Sequence, residues 1–283
     1  MRIPAGKVAV LLLGLLLSAR LVAADDAAKP VTRPEKPETG PTWIQNKDVR
    51  VELLTNVSSN WWTLLTWRWN GKTSSWERFF QSGFGCSVPD PEMTRYREKW
   101  KVYYLFDRVI PSNVRTLVEN GSATMLFRLE REDLWTDFRI TILGDSPMAF
   151  FDVPAKSRPD IAAKASQMFS QPMTHVMTDD PADPARWKEL FARELRDVYK
   201  WGYGKRYVAA YRPGHDEIYV FFWPKADKVR GVMFATGPFS AGHLDAPYVL
   251  YGGHYPHEDA ADIHAYVEML YSYAQAFLKQ ANR

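Results

Sequence analysis

The sequence predicts an α+β fold: a large antiparallel β-sandwich with two or three helices packed on one side, built as a single domain. Three observations carry this expectation. Segments that alternate apolar and polar residues recur between short turn signals from Val49 to about Val153, and period 2 is the mark of strands with one wet face. Two Asn-Gly pairs, Asn70-Gly71 and Asn120-Gly121, lie between β-branched and aromatic residues, which is the strongest short-range hairpin signal. Helical periodicity is confined to the second half of the chain, weakly from Ala155 to Met168 and clearly after Asp183 and near the C-terminus.

Residues 1–24 read as a signal peptide. Arg2 and Lys7 form a basic start, Val8 to Leu17 an apolar stretch too short to span a bilayer, and Val22-Ala23-Ala24 a small-residue cleavage site before Asp25. The mature protein is therefore expected in a bacterial periplasm or outside the cell. That segment holds 3 basic residues and no acidic ones, so 36 minus 3 basic residues against 33 acidic ones leaves the mature chain formally neutral. A neutral chain lacks the clustered Lys and Arg that phosphate neutralisation demands, which argues against nucleic acid as a partner. Cys86 is the only cysteine, so no internal disulfide forms. No transmembrane segment is expected, because no later stretch approaches the roughly 18 apolar residues one needs. Residues 25–41 hold four prolines, alternating charges and almost no large apolar groups, and read as a disordered arm. Residues 42–283 then form the one domain.

Within it, Val49 to Thr55 is the first strand and the tryptophan-rich hairpin follows. Thr94 to Phe106 places Tyr96, Trp100, Val102, Tyr104 and Phe106 on one face, opposite Arg95, Arg97, Lys99 and Lys101. The Asn120-Gly121 hairpin puts Val114, Thr116, Val118, Ala123, Met125, Phe127 and Leu129 on one side. Phe138 to Leu143 and Met148 to Val153 follow, joined by Gly144-Asp145-Ser146-Pro147. Asp183-Pro184 caps an amphipathic helix through Trp187, Leu190, Phe191, Leu195 and Val198, stopped by Gly202. Strands resume at Arg206 to Tyr211, Glu217 to Trp223 and Val229 to Ala235. A last helix runs from about Glu258 to Lys279, with Ile263, Val267, Leu270, Ala274 and Phe277 as its buried stripe.

Residues 61–80, WWTLLTWRWNGKTSSWERFF, carry five of the chain's eleven tryptophans. With Asn70 and Gly71 as a two-residue loop, Trp69 faces Lys72, Trp67 faces Ser74, and Trp61, Leu65, Trp67, Trp69, Trp76 and Phe80 share a face. Such flat aromatic area serves either as sandwich core, the first expectation, or as a stacking platform for a sugar, whose C–H faces lie on indole rings. The ligand-binding candidates are Trp61, Trp67, Trp69 and Trp76, with Arg68 as the adjoining polar group.

Five of six histidines fall between residues 215 and 264. His243, His254 and His257 lie in glycine-broken loops around one short strand, Tyr248 to Tyr251, and loops on a rigid scaffold concentrate function. Imidazole serves as acid or base near neutral pH, so His243, His254 and His257 are the catalytic candidates, with Tyr251 or Tyr255 as proton donor. Their structural alternative is to satisfy loop carbonyls or cap the last helix. No metal-ligand spacing such as HExxH occurs, and no metal is expected. Nor is there a G-x-S-x-G elbow, Walker loop or dinucleotide fingerprint, so no cofactor is expected either. Glu130, Glu132, Asp133 and Asp137 read as a solvated loop rather than a glycosidase pair. The leading expectation is an exported saccharide-binding protein, or a saccharide-modifying one using lyase- or epimerase-type proton transfer. The alternative is a non-catalytic envelope protein that holds a protein partner with its aromatic ribbon. A metal-dependent hydrolase ranks last.

Overall fold

The computed structural model describes residues 33–58, 61–89, 100–104, 109–173, 175–178, 188–189, 199–201, 206–211, 216–222, 232–235, 237–243, 248–255 and 260–281. In chain order the strands are β1 (Glu38–Gly40), β2 (Trp43–Gln45), β3 (Val49–Asn56), β4 (Trp61–Asn70), β5 (Ser75–Pro89), β6 (Trp100–Tyr104), β7 (Ser112–Glu119), β8 (Ser122–Arg131), β9 (Leu134–Leu143) and β10 (Met148–Lys156). Then come β11 (Ala162–Met173), β12 (His175–Thr178), β13 (Lys188–Glu189), β14 (Tyr199–Trp201), β15 (Tyr207–Tyr211), β16 (Glu217–Phe222), β17 (Val232–Ala235), β18 (Gly237–His243), β19 (Tyr248–His254) and helix α1 (Ala260–Ala281). One sheet has ten strands in the order β1-β2-β3-β4-β5-β11-β18-β17-β14, with β6 also on β5. The other has nine, in the order β13-β12-β15-β16-β19-β10-β9-β8-β7.

The expected α+β class is corrected to a mostly β one. Among the described residues α1 is the single helix, where two or three were expected. Ala155 to Met168, read as weakly helical, instead ends β10 and begins β11, which hydrogen-bonds β5 on one side and β18 on the other. Pairing along both edges outweighs the helix preference of its alanines, because propensity differences are only fractions of a kcal/mol per residue. In the helix expected between Asp183 and Gly202, Lys188 and Glu189 form β13 against β12 and Tyr199–Trp201 form β14 against β17, and the remainder lies outside the described residues. Structure also enters before residue 42. Arg33 pairs with Asp48 at 2.9 Å and Glu38–Gly40 pairs with Trp43–Gln45, so the expected disordered arm is corrected from Arg33 onward.

Two apolar layers result. The sheets enclose Ile44, Val51, Trp62, Leu64, Phe80 and Phe84 from the first and Met125, Phe127, Phe138, Ile140, Phe151 and Leu250 from the second. The opposite face of the second sheet, with Phe150, Val220 and Val249, packs on α1 through Ile263, Val267, Leu270, Ala274 and Phe277, the stripe expected from sequence. Fully burying one such side chain contributes roughly 1.5–3 kcal/mol.

The two Asn-Gly hairpins differ. In the second, Glu119 pairs with Ser122, and Asn120 and Gly121 take φ of 49° and 73°, as a two-residue type I′ turn requires. In the first, Trp69 pairs with Trp76 and Asn70 with Ser75, leaving Gly71, Lys72, Thr73 and Ser74 as a four-residue loop. Its left-handed residue is Ser74, at φ 50°. Asn70 Oδ1 accepts the Lys72 N–H at 2.8 Å, so the asparagine side chain turns the chain without help from Gly71. Gly121→Ala should cost about 1–2 kcal/mol, while Gly71→Ala, with nothing within 4 Å of its new methyl, should change stability by less than about 0.5 kcal/mol or raise it slightly. Equal shifts in urea midpoint for the two variants would contradict these loops.

The REDLWTD stretch is likewise a hairpin rather than a loop: Arg131 pairs with Leu134 around Glu132-Asp133. Arg128 there donates to both oxygens of Asp137, at 2.6 and 3.0 Å, and stacks on Trp135.

Candidate functional site

The register of β4 and β5 decides which way the aromatic hairpin presents its side chains. Thr66 pairs with Phe80 but Trp67 pairs with Arg78, so Phe79 is an extra residue and β5 carries a bulge. Phe79 and Phe80 therefore both enter the sandwich, each 1% exposed. This corrects the expected face, which placed Phe80 with the tryptophans. Beyond the bulge the alternation is clean: Trp67, Trp69, Trp76 and Arg78 share the outer face, and Arg68 and Glu77 share the inner one.

Trp62 is core, but Trp67, Trp69 and Trp76 are half-buried and belong to neither apolar layer. Trp69 and Trp76 meet edge to face at 5.5 Å. Cross-strand pairing aligns Trp67 with Arg50, Arg50 with Gln45, and Glu52 with Trp43. The Arg50 guanidinium donates to Gln45 Oε1 at 3.1 Å and Glu52 Oε1 at 3.2 Å, and lies 4.7 Å from the Trp43 ring centre. Gln45 Nε2 donates onward to Glu38 at 3.1 Å. Gly40 lets the Trp43 indole lie across β1, since a methyl there would fall 2.2 Å from its Nε1. The outer face of β1 to β5 thus alternates indole planes with planar polar groups. The indole N–H groups of Trp67 and Trp76 have no acceptor among the described residues.

On the inner face the hairpin meets β19. Glu77 Oε2 lies 3.1 Å from His254 Nε2, and Glu77 Oε1 accepts a 2.6 Å bond from Asn70 Nδ2. Asp216 Oδ1 lies 3.1 Å from His254 Nδ1, a charge contact off hydrogen-bond geometry, so that buried ring nitrogen has a carboxylate neighbour but no bond. The His254 ring stands perpendicular to Phe79 at 5.5 Å, and about a third of its side chain reaches solvent. A neutral imidazole has one donor and one acceptor nitrogen, so in either tautomer one of the two carboxylates faces a lone pair.

Next to it, Arg68 Nη1 donates to Pro147 O at 2.6 Å and its guanidinium lies 5.1 Å from the Tyr251 ring. The Tyr251 and Tyr266 hydroxyls bond at 2.6 Å. Burial first, then Tyr251, pushes the Tyr266 phenol far above its ordinary range, with Arg68 opposing. Tyr255 is 2% exposed and packs against Tyr266 and Tyr211 beneath α1.

Of the residues singled out from sequence, the structure brings His254, Tyr251 and Arg68 together at this junction. It sends Trp67, Trp69 and Trp76 to the opposite face of the same hairpin. Trp61 pairs with Asn56 through its backbone. His243 ends β18 opposite Lys164, a strand position where a loop was expected, and His257 lies outside the described residues. Gly252 and Gly253, which precede His254, make room for Phe80 and Phe79 and for the Tyr251 hydroxyl. Sequence reading missed Glu77, Asp216, Trp43 and Arg50. Only the alternation around Trp43 and Arg50 marked them, because nothing local links Glu77 to a histidine 177 positions away. Among the described residues no group of three or more His, Cys, Asp or Glu is arranged to hold a metal, and no helix is long and apolar enough to cross a membrane.

No protein-family model matches the chain, and no curated protein matches it in sequence. Solved structures do match in fold. An α-mannosidase from Enterococcus faecalis V583 superposes with a TM-score of 0.53 at 8% identity, covering 82% of this chain and 31% of that one. A glycosyl hydrolase family 38 protein from Enterococcus faecalis superposes at 0.51 and 10% identity, covering 83% and 32%. The chain spans about a third of the length of these proteins, and at such identity the likeness is one of fold.

Proposed function

We propose that this protein binds a saccharide on the outer face of β1 to β5. The observation that carries the reading is the grouping of Trp43, Trp67, Trp69 and Trp76 on one sheet face, outside both apolar layers and interleaved with the Gln45–Arg50–Glu52 network. Indole planes accept the C–H faces of pyranose rings, and amide, guanidinium and carboxylate groups match hydroxyls in direction and number. The fold shared with an α-mannosidase and a glycosyl hydrolase family 38 protein is compatible with this reading. His254, with a carboxylate at each ring nitrogen on the opposite face of the hairpin, is a separate acid/base candidate, and lyase- or epimerase-type proton transfer is the reaction class it would serve. The leader expected at residues 1–24 supports a role outside the cytoplasm.

A glycan array followed by titration calorimetry tests the reading. Trp67→Ala, Trp69→Ala and Trp76→Ala should each weaken the best array ligand about tenfold, with melting curves close to the parent's. An array without a single binder, or three variants of parental affinity, would end it.

A further inference from the structure

Arg68 is a half-buried cation without an anion among the described residues. It pairs across the strands with Glu77, where an ion pair is the expected partner. Glu77 is engaged elsewhere, one oxygen by Asn70 and the other by His254. Asp216, the other carboxylate of the junction, is likewise turned to His254. Arg68 keeps one hydrogen bond, to the Pro147 carbonyl, and the Tyr251 ring beneath its guanidinium. No carboxylate among the described residues pairs with it. A guanidinium carries five N–H donors in a flat fork that matches a carboxylate in two parallel bonds, and withdrawing it from water without a counter-ion is costly. The Tyr251–Tyr266 pair adds a neutral donor. Of its two hydroxyl protons one makes the bond between them, and the other has no acceptor among the described residues.

We propose that Arg68 is the receptor for a carboxylate on the inner face of the hairpin, and that this carboxylate is the uronate of an acidic saccharide held there separately from any sugar on the tryptophan face. The uronate identity rests on the saccharide reading above, whereas the carboxylate site rests on Arg68 alone. Arg68 and the tryptophans lie on opposite faces of one hairpin, so the two contributions separate by mutation.

The experiment is a titration of the full chain with an oligouronate, the matching neutral oligosaccharide and glycerate, a simple carboxylate. Arg68→Met should weaken the oligouronate at least about tenfold and leave the neutral oligosaccharide within about twofold, and Arg68→Lys should fall between, because an ammonium replaces the fork with a point charge. Should Arg68→Met fail to fold, Arg68→Lys decides: a loss confined to the oligouronate supports the proposal, and an equal change for both sugars overturns it. Parental oligouronate affinity in Arg68→Met overturns it outright. Glycerate bound in an Arg68-dependent way, with neither sugar bound, keeps the carboxylate receptor and overturns the saccharide reading.

Discussion

Phe84→Ala is expected to lower stability by about 3–5 kcal/mol. The ring is 2% exposed on β5 and stacks on Trp62 at 6.1 Å within its own sheet. Across the sandwich it meets Phe127 at 5.8 Å, Phe138 at 5.0 Å and Phe151 at 6.3 Å, on three neighbouring strands of the second sheet. Rigid rings on every side cannot collapse into the space left behind, so the cavity cost adds in full to the lost transfer energy. Urea unfolding should show a lower midpoint at unchanged slope, and the melting temperature should fall by roughly 6–20 °C. A loss under about 1 kcal/mol would mean that the sheets do not close through this ring.

Gly252→Val should cost about 3 kcal/mol, at the upper end of overpacking. A side chain there would begin 2.6 Å from Phe80 and 3.0 Å from Phe79, both buried and held by the bulge in β5. Unlike the Phe84 change, this one also reaches the site, because Phe79 supports His254 and Glu77 follows two positions back on the same strand. Binding that depends on Arg68 and His254 should therefore suffer more than binding to the outer tryptophans. Parental stability in Gly252→Val would show that the hairpin stands further from β19 than described.

Much of the fold was legible because its causes are local. Alternation located β3, β8, β9, β10, β15 and β16 to within a few residues, since a strand between a core and water writes its two faces directly into the sequence. Asn120-Gly121 specified its own turn through two left-handed residues, and the stripe of α1 followed from the helical period. The first hairpin was misread because Asn-Gly also begins a longer loop when the asparagine side chain bonds the backbone ahead of it. One bulge then returned Phe80 to the core, which period 2 alone cannot register.

By itself, then, the sequence determined the strand-rich character, one hairpin register, the apolar stripe of the last helix and the set of tryptophans that could meet a ligand. Only the tertiary structure decided that Ala162–Met173 is a central strand, that the indoles and His254 lie on opposite faces of one ribbon, and that Glu77 abandons Arg68 for Asn70 and His254. The reason is physical. Periodicity and turn chemistry act over a few residues and are written in order along the chain, whereas strand pairing and the choice of an ionic partner are settled by which distant groups the packed sheets bring within 3 Å or so of each other.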